Sequence, residues 1–326
     1  MQSRSEETGI SMPARFISTP QTVSPEAQAF LARGLDIKAP QIAVEDKEGW
    51  RRYIAQVESQ LAAVGALRAA AHPARISEHD LSGVALYEIV PDSCSDADAD
   101  KAIYHVHGGA FIVGGGLSAA YSAQSVASVA GLRSYSIDYR MPPDYPFPAG
   151  LDDALAGYRF LLDRYDPNKI AIEGSSAGAN LAAAVILKAR DIGLPMPGAC
   201  ILHTAAVDLT HSGDTFRTNE ILDVVLRTSD NNAIQLYCGG HDPSDPYLSP
   251  IFADFSTGFP PTLLISGTRD MLLSPTVMMH RALRRAGLAA ELHVFEAMPH
   301  GGFGNSSPED HERLAESARF IRAHIC

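Results

Sequence analysis

From residue 102 to the carboxyl terminus, short apolar segments alternate with segments whose apolar residues recur at helical spacing. The apolar segments have the length of buried strands and lie at residues 103–107, 132–139, 169–175, 199–203, 261–267 and 290–296. Strands and helices that alternate along a chain are joined by right-handed crossovers, which produce a mostly parallel sheet with helices on both faces. The pattern therefore predicts an α/β fold with a central sheet flanked by helices.

Two segments lie outside this alternation. Residues 1–72 are mainly helical in pattern, and one helix candidate carries an apolar stripe formed by Trp50, Ile54, Val57, Leu61 and Val64. Residues 204–260 separate two strand candidates and include a helix candidate at 219–237. Because a long insertion at the carboxyl edge of a parallel sheet usually covers the ligand crevice, we expect both segments to form a helical cap. The catalytic domain is then expected to span residues 73–326.

Composition limits the class of partner. The chain has 26 Lys and Arg against 38 Asp and Glu, a net charge of −12, which argues against nucleic acid and against an anionic membrane surface. It has neither the apolar stretch of a signal peptide nor a run of about 18 apolar residues, so we expect no membrane insertion. Four scattered cysteines fit a reducing compartment, and we expect a cytoplasmic protein. The sequence leaves homodimer formation open.

The segment Gly-Ser-Ser-Ala-Gly at residues 174–178 matches the pattern G-x-S-x-G. A strand candidate enters it and a helix rich in small residues leaves it, which is the strand–turn–helix setting of a nucleophile elbow. Such a turn exposes the central serine and leaves no room for side chains two residues away on either side. We therefore predict that Ser176 is a nucleophile, and that the start of the following helix favours a developing negative charge.

A second glycine motif follows the strand candidate at 103–107. His107 is followed by two glycines, which let the backbone approach a ligand closely and direct N–H groups to one point. A loop of this kind supplies oxyanion-hole donors in lipases and esterases, and we expect His107 to support it through hydrogen bonds. The alternative, in which His105 and His107 bind a metal ion, lacks an evident third ligand nearby.

A serine nucleophile needs a general base, and the base needs a carboxylate that orients it. Serine hydrolases built on such a sheet place the acid and then the histidine after the serine in the chain. The best placed acid is Asp270 and the best placed base is His300, since each follows the carboxyl end of a strand candidate. The alternatives without a catalytic role are a helix cap for Asp270 and an exposed loop histidine for His300.

These residues belong to longer motifs that identify a family. The sequence resembles the hormone-sensitive-lipase-like esterases, the bacterial family IV carboxylesterases of the α/β-hydrolase superfamily. The resemblance begins near residue 75 and rests on HGGAF at 107–111, YRMPPDYPFPAGLDD at 139–153, GSSAGAN at 174–180, DPYLSP at 245–250, GTRDMLL at 267–273 and PHGGF at 299–303. It implies the α/β-hydrolase fold with a helical cap.

The resemblance also implies roles at matching positions. It makes Ser176, Asp270 and His300 a catalytic triad, and it makes the backbone N–H groups of Gly108, Gly109 and Ala177 the oxyanion hole. The chain departs from the family where many members carry an acidic residue in place of Ser175, a third glycine in place of Ala110 and a glycine in place of Ala179. None of these departures removes a catalytic group.

The leading hypothesis is a serine carboxylesterase that hydrolyses short- to medium-chain carboxylic esters through an acyl-enzyme intermediate. A lactone hydrolase would use the same triad on a cyclic ester. A non-catalytic receptor for a small ligand is a third hypothesis, which the presence of all three triad residues disfavours. The expected partner is a small ester, with neither a cofactor nor a metal ion.

Overall fold

A computed structural model of the chain describes residues 13–14, 16–34, 41–227 and 231–325. Its strands are β1 (Ala74–Asp80), β2 (Ala85–Pro91), β3 (Ala102–Val106), β4 (Ser134–Ile137), β5 (Ile170–Ser175), β6 (Ala199–His203), β7 (Thr262–Gly267) and β8 (Ala290–Phe295). They form one sheet in the order β1-β2-β4-β3-β5-β6-β7-β8. The strands from β4 to β8 in this order run parallel, while β1 and β2 are antiparallel to their neighbours. The predicted α/β fold is confirmed.

The helices connect the strands and flank the sheet. They are α1 (Pro25–Ala32), α2 (Lys47–Ala69), α3 (Leu117–Ala130), α4 (Ala149–Leu162), α5 (Ala177–Asp191), α6 (Thr215–Thr218), α7 (Asn231–Cys238), α8 (Leu273–Arg285) and α9 (Pro308–His324). Capping side chains explain where two of these helices begin. Ser24 caps α1 by accepting the Ala27 N–H, and Ser307 with Asp310 forms a capping box at α9.

Both faces of the sheet are covered. On one face, apolar side chains of β3, β5, β6 and β7 pack against α4, α5 and α8. On the other face, alternate residues of the same strands pack against α3 and α9. Since successive side chains of a strand point to opposite faces, these strands are apolar almost throughout.

The carboxyl ends of β3, β5, β7 and β8 lie at one edge of the sheet. The loops that follow these strands carry the glycine motif, Ser176, Asp270 and His300, respectively. The parallel arrangement therefore brings together groups that are far apart in the sequence.

The predicted helix at 219–237 is wrong in its bounds. Among the described residues of this segment, only α7 is helical, while α6 ends at Thr218 and residues 228–230 lie outside the described part. A local contact explains the break. The Asp223 carboxylate accepts the backbone N–H groups of Val225 and Leu226, and this turn competes with helical hydrogen bonding.

The N-terminal helices contact the insertion and the loops at the same edge of the sheet. Trp50 of α2 is fully buried in a cluster with Ile112, which follows the glycine motif, and with Leu236 of α7. Helix α1 packs against Met298 and Phe303, on either side of His300. Residues 1–12, 15 and 35–40 of the predicted N-terminal region lie outside the described residues.

Two further features concern the chain as far as the structure describes it. No helix in the described ranges is long and apolar enough to cross a membrane. Cys94, Cys200 and Cys238 are free thiols, and Cys326 lies outside the described residues.

Candidate active site

Ser176 occupies a sharp turn between β5 and α5. Its backbone has φ +57° and ψ −121°, a conformation that L-residues rarely adopt. A strained residue of this kind persists only where its surroundings hold it in place, and such residues cluster at functional sites. The predicted strand–turn–helix setting of the elbow is thus present.

The two glycines of the elbow are required by close backbone contacts. A Cβ atom at Gly174 would collide with the backbone of Gly178. A Cβ atom at Gly178 would collide with the backbone of Val106 and His107 at the end of β3. The elbow can therefore lie against the glycine motif only because these two positions lack side chains.

A chain of two hydrogen bonds joins the predicted nucleophile, base and acid. The Ser176 Oγ lies 2.8 Å from His300 Nε2, and His300 Nδ1 lies 3.1 Å from Asp270 Oδ1. His300 and Asp270 are buried, while Ser176 is half-buried. When Asp270 accepts the Nδ1–H, Nε2 carries the lone pair and can accept the serine proton.

The Asp270 carboxylate is held by two further donors. The Ser266 hydroxyl donates to Oδ2 at 2.7 Å, and the Leu272 backbone N–H donates to Oδ1 at 2.9 Å. A carboxylate can accept several hydrogen bonds at once, and each of them restricts its orientation. Asp270 is therefore held as an oriented carboxylate beside the imidazole, rather than acting as a helix cap alone.

The glycine loop lies directly beside Ser176. A Cβ atom at Gly108 would come within 2.7 Å of the Ser175 carbonyl oxygen, and Gly109 has φ +119°. Ala177 is the first residue of α5, so its N–H has no carbonyl partner within the helix. Of the three residues predicted for the oxyanion hole, Gly108 and Ala177 therefore lie directly against the Ser176 turn, and Gly109 is the next residue of the glycine loop.

His107 is buried behind this loop. Its Nδ1 lies 2.8 Å from the Gly108 carbonyl oxygen, and its ring stacks on Tyr139 with a centroid distance of 4.2 Å. The Tyr139 hydroxyl donates to the His107 carbonyl oxygen at 3.1 Å. Burial lowers the pKa of His107 to about 4, although the hydrogen bond to Gly108 opposes this shift. The side chain is therefore neutral at neutral pH.

His105 belongs to a different, buried polar layer beneath the elbow. Its Nδ1 bonds to the Glu173 carboxylate, and its Nε2 lies 2.8 Å from the Ser122 hydroxyl. His203 lies 3.5 Å from the other oxygen of Glu173, and Arg313 of α9 contacts His203 Nδ1 at 3.2 Å. Within the described ranges, no group of three or more His, Cys, Asp or Glu side chains is arranged to hold a metal ion.

None of the sequence motifs predicts this polar layer. An acidic residue in the otherwise apolar strand segment Ile-Ala-Ile-Glu, directly before the elbow, was the available signal. Burial opposes the charge of Glu173, but His105, His203 and Arg313 outweigh it and lower the pKa of the carboxyl. The charge beneath the elbow is therefore compensated rather than isolated.

A cavity of about 970 Å³ opens onto Ser176. Leu61 and Val64 of α2 form an apolar wall, and both are partly exposed there. Tyr121 and Ser122 of α3 form a more polar wall, and the insertion contributes Val225 and Leu226. The volume lies at the upper end of the range for small-molecule sites.

Known proteins similar to this chain share its fold family. Residues 103–304 match the profile of a family described as having the alpha/beta hydrolase fold. An acetyl-hydrolase of Streptomyces hygroscopicus is 32% identical over 226 residues, which is 68% of this chain and 75% of that protein. An esterase of Acinetobacter venetianus is 31% identical over 69% of this chain and 76% of its own length.

Solved structures extend the likeness to almost the whole chain. The crystal structure of an esterase named E25 has a TM-score of 0.90 and 32% identity, and the match covers 98% of this chain and 99% of that one. An esterase from the bacterial hormone-sensitive lipase family has a TM-score of 0.78 and 29% identity, covering 93% and 99% of the two chains.

The lowered pKa of His107 generates a prediction about stability. In the unfolded chain His107 binds a proton below about pH 6.5, whereas in the folded protein it stays neutral down to about pH 4. The unfolded state thus binds more protons in this window. The contribution of His107 should therefore lower the free energy of unfolding by about 1.4 kcal/mol per pH unit as the pH is lowered from 6.5 to 4.

Urea denaturation at pH 7.0, 6.0, 5.0 and 4.5 measures this effect. The variant His107→Asn should have a shallower pH dependence than the native chain, because the titrating group is absent. The same substitution at exposed His241 is the control for the loss of a histidine outside the site. Equal slopes for the native chain and His107→Asn would contradict the prediction.

Proposed function

The chain belongs to the α/β-hydrolase fold family and is an esterase of the bacterial hormone-sensitive-lipase type, and from this premise we propose that Ser176, His300 and Asp270 are its catalytic triad. The observation that carries the proposal is the hydrogen-bonded chain from Ser176 Oγ through His300 to Asp270, with distances of 2.8 and 3.1 Å. The reaction is hydrolysis of a carboxylic ester.

Acylation begins when Ser176 Oγ attacks the ester carbonyl carbon. His300 Nε2 takes the hydroxyl proton, and Asp270 stabilises the imidazolium that results. The backbone N–H groups of Gly108, Gly109 and Ala177 donate to the carbonyl oxygen as it becomes an oxyanion. Each such donor contributes roughly 3 kcal/mol in comparable sites. His300 then protonates the leaving alcohol, and an acyl-enzyme remains on Ser176.

Deacylation repeats these steps with water as the nucleophile. His300 takes a proton from the water, the resulting tetrahedral species collapses, and Ser176 leaves with the proton that His300 returns. The products are a carboxylic acid and the alcohol released earlier. His107 is neutral and buried behind the loop, so it supports the oxyanion hole without exchanging protons.

We propose that residues 1–72 and 204–260 act together as the cap of a catalytic domain formed by 73–326. The cavity supports this proposal because α2 and the insertion both line it. A contact between the two segments supports it as well, since the Asn232 side chain donates to the Ile42 carbonyl oxygen at 2.8 Å.

Glu58 of α2 gives the proposed cap a second role, because it accepts hydrogen bonds from the backbone next to the glycine loop. Its Oε1 accepts the backbone N–H groups of Gly114 and Gly115 at 2.6 and 3.1 Å. These glycines follow the glycine loop at 107–111, which we call the oxyanion loop for its proposed role, and a Cβ atom at Gly114 would lie 2.7 Å from the Gly108 carbonyl oxygen. The N-terminal segment therefore supports the oxyanion loop as well as lining the cavity.

The nucleophile assignment predicts the effect of Ser176→Ala. The variant should fold normally and lose about 10⁶-fold in kcat, because the attacking atom is absent. The matched control is Ser175→Ala, which removes the same hydroxyl one residue earlier and should keep most activity. Hydrolysis of 4-nitrophenyl butyrate measures both. Retention of more than 1% of activity by Ser176→Ala, with loss in Ser175→Ala, would move the nucleophile to Ser175.

The acid assignment predicts the effect of Asp270→Asn. The amide has the same shape, but it leaves His300 without the carboxylate that selects its tautomer, so kcat should fall by up to about 10⁴-fold. Asp208→Asn is the control, since Asp208 is an equally buried carboxylate outside the triad. Near-native activity of Asp270→Asn would mean that another carboxylate orients the base.

Cavity shape predicts the acyl preference. Activity should peak near C4 to C6 and fall steeply by C12, because the cavity lining includes the polar side chains of His105 and Glu173, which a long apolar chain would desolvate. Leu61→Ala should lower kcat/KM for the C6 ester about 10-fold relative to the C2 ester, since an apolar contact with the chain is worth about 1–3 kcal/mol. A 4-nitrophenyl ester series from C2 to C16 tests this.

Leu117→Ala is the matched control for the cavity wall. Leu117 is half-exposed on α3 and lies outside the cavity lining, so its removal should leave the C6 to C2 ratio unchanged. An identical effect of both variants, or a maximum at C12 or beyond, would contradict the proposed acyl site.

A further inference from the structure

Asp223, a residue of the 204–260 insertion, contacts the backbone of both the proposed acid loop and the proposed base. Its side chain is fully buried. Oδ2 accepts the backbone N–H of Met271, the residue after Asp270, at 2.9 Å. Oδ1 accepts the backbone N–H of His300 at 3.4 Å. One carboxylate therefore bridges two loops that follow different strands.

Two neighbouring side chains of the insertion also contact the backbone of the acid loop, but as donors to its carbonyl oxygens. The Asn219 side chain donates to the Asp270 carbonyl oxygen at 2.9 Å. The Thr215 hydroxyl donates to the Met271 carbonyl oxygen at 2.8 Å. Thr215, Asn219 and Asp223 are spaced four residues apart. Together they attach one segment of the insertion to the loop that carries the acid.

Asp223 is itself firmly held. Its Oδ1 also accepts the backbone N–H groups of Val225 and Leu226 at 2.9 and 3.3 Å. Burial raises the pKa of Asp223, while the neighbouring His300 and the backbone N–H donors act in the opposite direction. Removal of the carboxylate would leave several buried N–H donors without their acceptor, which makes the bridge costly to break.

We propose that Asp223 is a positioning residue for ester hydrolysis, which sets the distance and orientation between the acid loop and His300. The inference rests on the proposed function, since it assigns Asp223 a part in aligning that triad. Proton transfer from Ser176 requires His300 Nε2 to stay within hydrogen-bond reach while Nδ1 faces Asp270. A displacement of about 1 Å at such a site costs on the order of 10²-fold in rate. The insertion therefore controls turnover as well as covering the cavity.

The chain offers a matched control within the same insertion. Asp208 is also buried, at 1% exposure, and its carboxylate accepts hydrogen bonds from Thr210 and Ser212 in its own turn. Asp208→Asn and Asp223→Asn make the same chemical change at similar burial. A general loss of stability should affect both, whereas misalignment of the triad should appear only in Asp223→Asn.

The experiment measures kcat and KM with 4-nitrophenyl butyrate, thermal stability, and the rate constant of inactivation by diethyl 4-nitrophenyl phosphate. The phosphate ester reacts with the serine hydroxyl and needs the base but no acyl site. Asp223→Asn should lower kcat by about 10- to 100-fold, change KM by less than about 3-fold, and lower the inactivation rate constant by the same factor as kcat. Asp208→Asn should keep kcat within about 3-fold at a comparable loss of Tm.

Asn219→Ala keeps the proposal testable if Asp223→Asn does not fold. It removes the side-chain donor to the Asp270 carbonyl oxygen and leaves the carboxylate of Asp223 in place. This variant should lower kcat and the inactivation rate constant together, by about 3- to 10-fold, with KM unchanged.

Three results would overturn the inference. They are equal losses of kcat in Asp223→Asn and Asp208→Asn, native values of kcat and inactivation rate in a folded Asp223→Asn, or an effect on KM alone. Failure of the proposed function looks different, because the native chain would then neither hydrolyse the butyrate ester nor be labelled at Ser176.

Discussion

The site depends on the close contact between the start of α5 and the end of β3. Gly178 lies so near the backbone of Val106 and His107 that a methyl group cannot fit between them. This contact places the Ser176 turn beside the oxyanion loop. It also holds Ser176 at its positive φ angle. Because β3 and β5 are parallel neighbours in the sheet, ordinary strand pairing provides the contact. The strain at Ser176 is therefore offset by hydrogen bonds and packing elsewhere in the sheet.

Beneath the elbow, the interior is charged where an apolar core would be expected. Glu173, His105 and His203 project from three neighbouring strands, and Arg313 reaches them from α9. Replacing one member would leave a buried charge without its partner, which is more destabilising than the absence of the whole group. Arg313 also contacts the Asn305 side chain at 2.8 Å, in the loop that follows His300. The layer thus joins β5 to the loop that carries His300.

The parts of the site that sequence could predict are those determined by local chain geometry. Ser176, Asp270 and His300 each follow the end of a strand, and a parallel sheet gathers such positions at one edge. Asp223 and Glu58 could not be found in this way, because each is an acidic residue in a segment whose docking depends on the folded sheet. The helix expected at 219–237 is wrong in its bounds for a related reason, since the Asp223 carboxylate accepts the backbone N–H groups of Val225 and Leu226 there. The helix expected around the apolar stripe is α2, and Leu61 and Val64 of that stripe line the cavity.

The same kind of interaction holds the loops around Ser176, since in each case a carboxylate accepts backbone N–H groups of the loop. Glu58 accepts backbone N–H groups beside the oxyanion loop, Asp223 accepts those of Met271 and His300, and Asp310 accepts the Phe303 N–H after His300 at 3.1 Å. Loops have few repeating backbone hydrogen bonds, so their buried N–H groups need acceptors from elsewhere. A carboxylate serves well because it can accept several N–H groups at once and forms stronger bonds than a neutral acceptor. Two of these carboxylates come from the N-terminal segment and the insertion. Both segments are therefore tied to the geometry of the site through hydrogen bonds to its backbone, and an accessory lid that merely covers the cavity would not need such bonds.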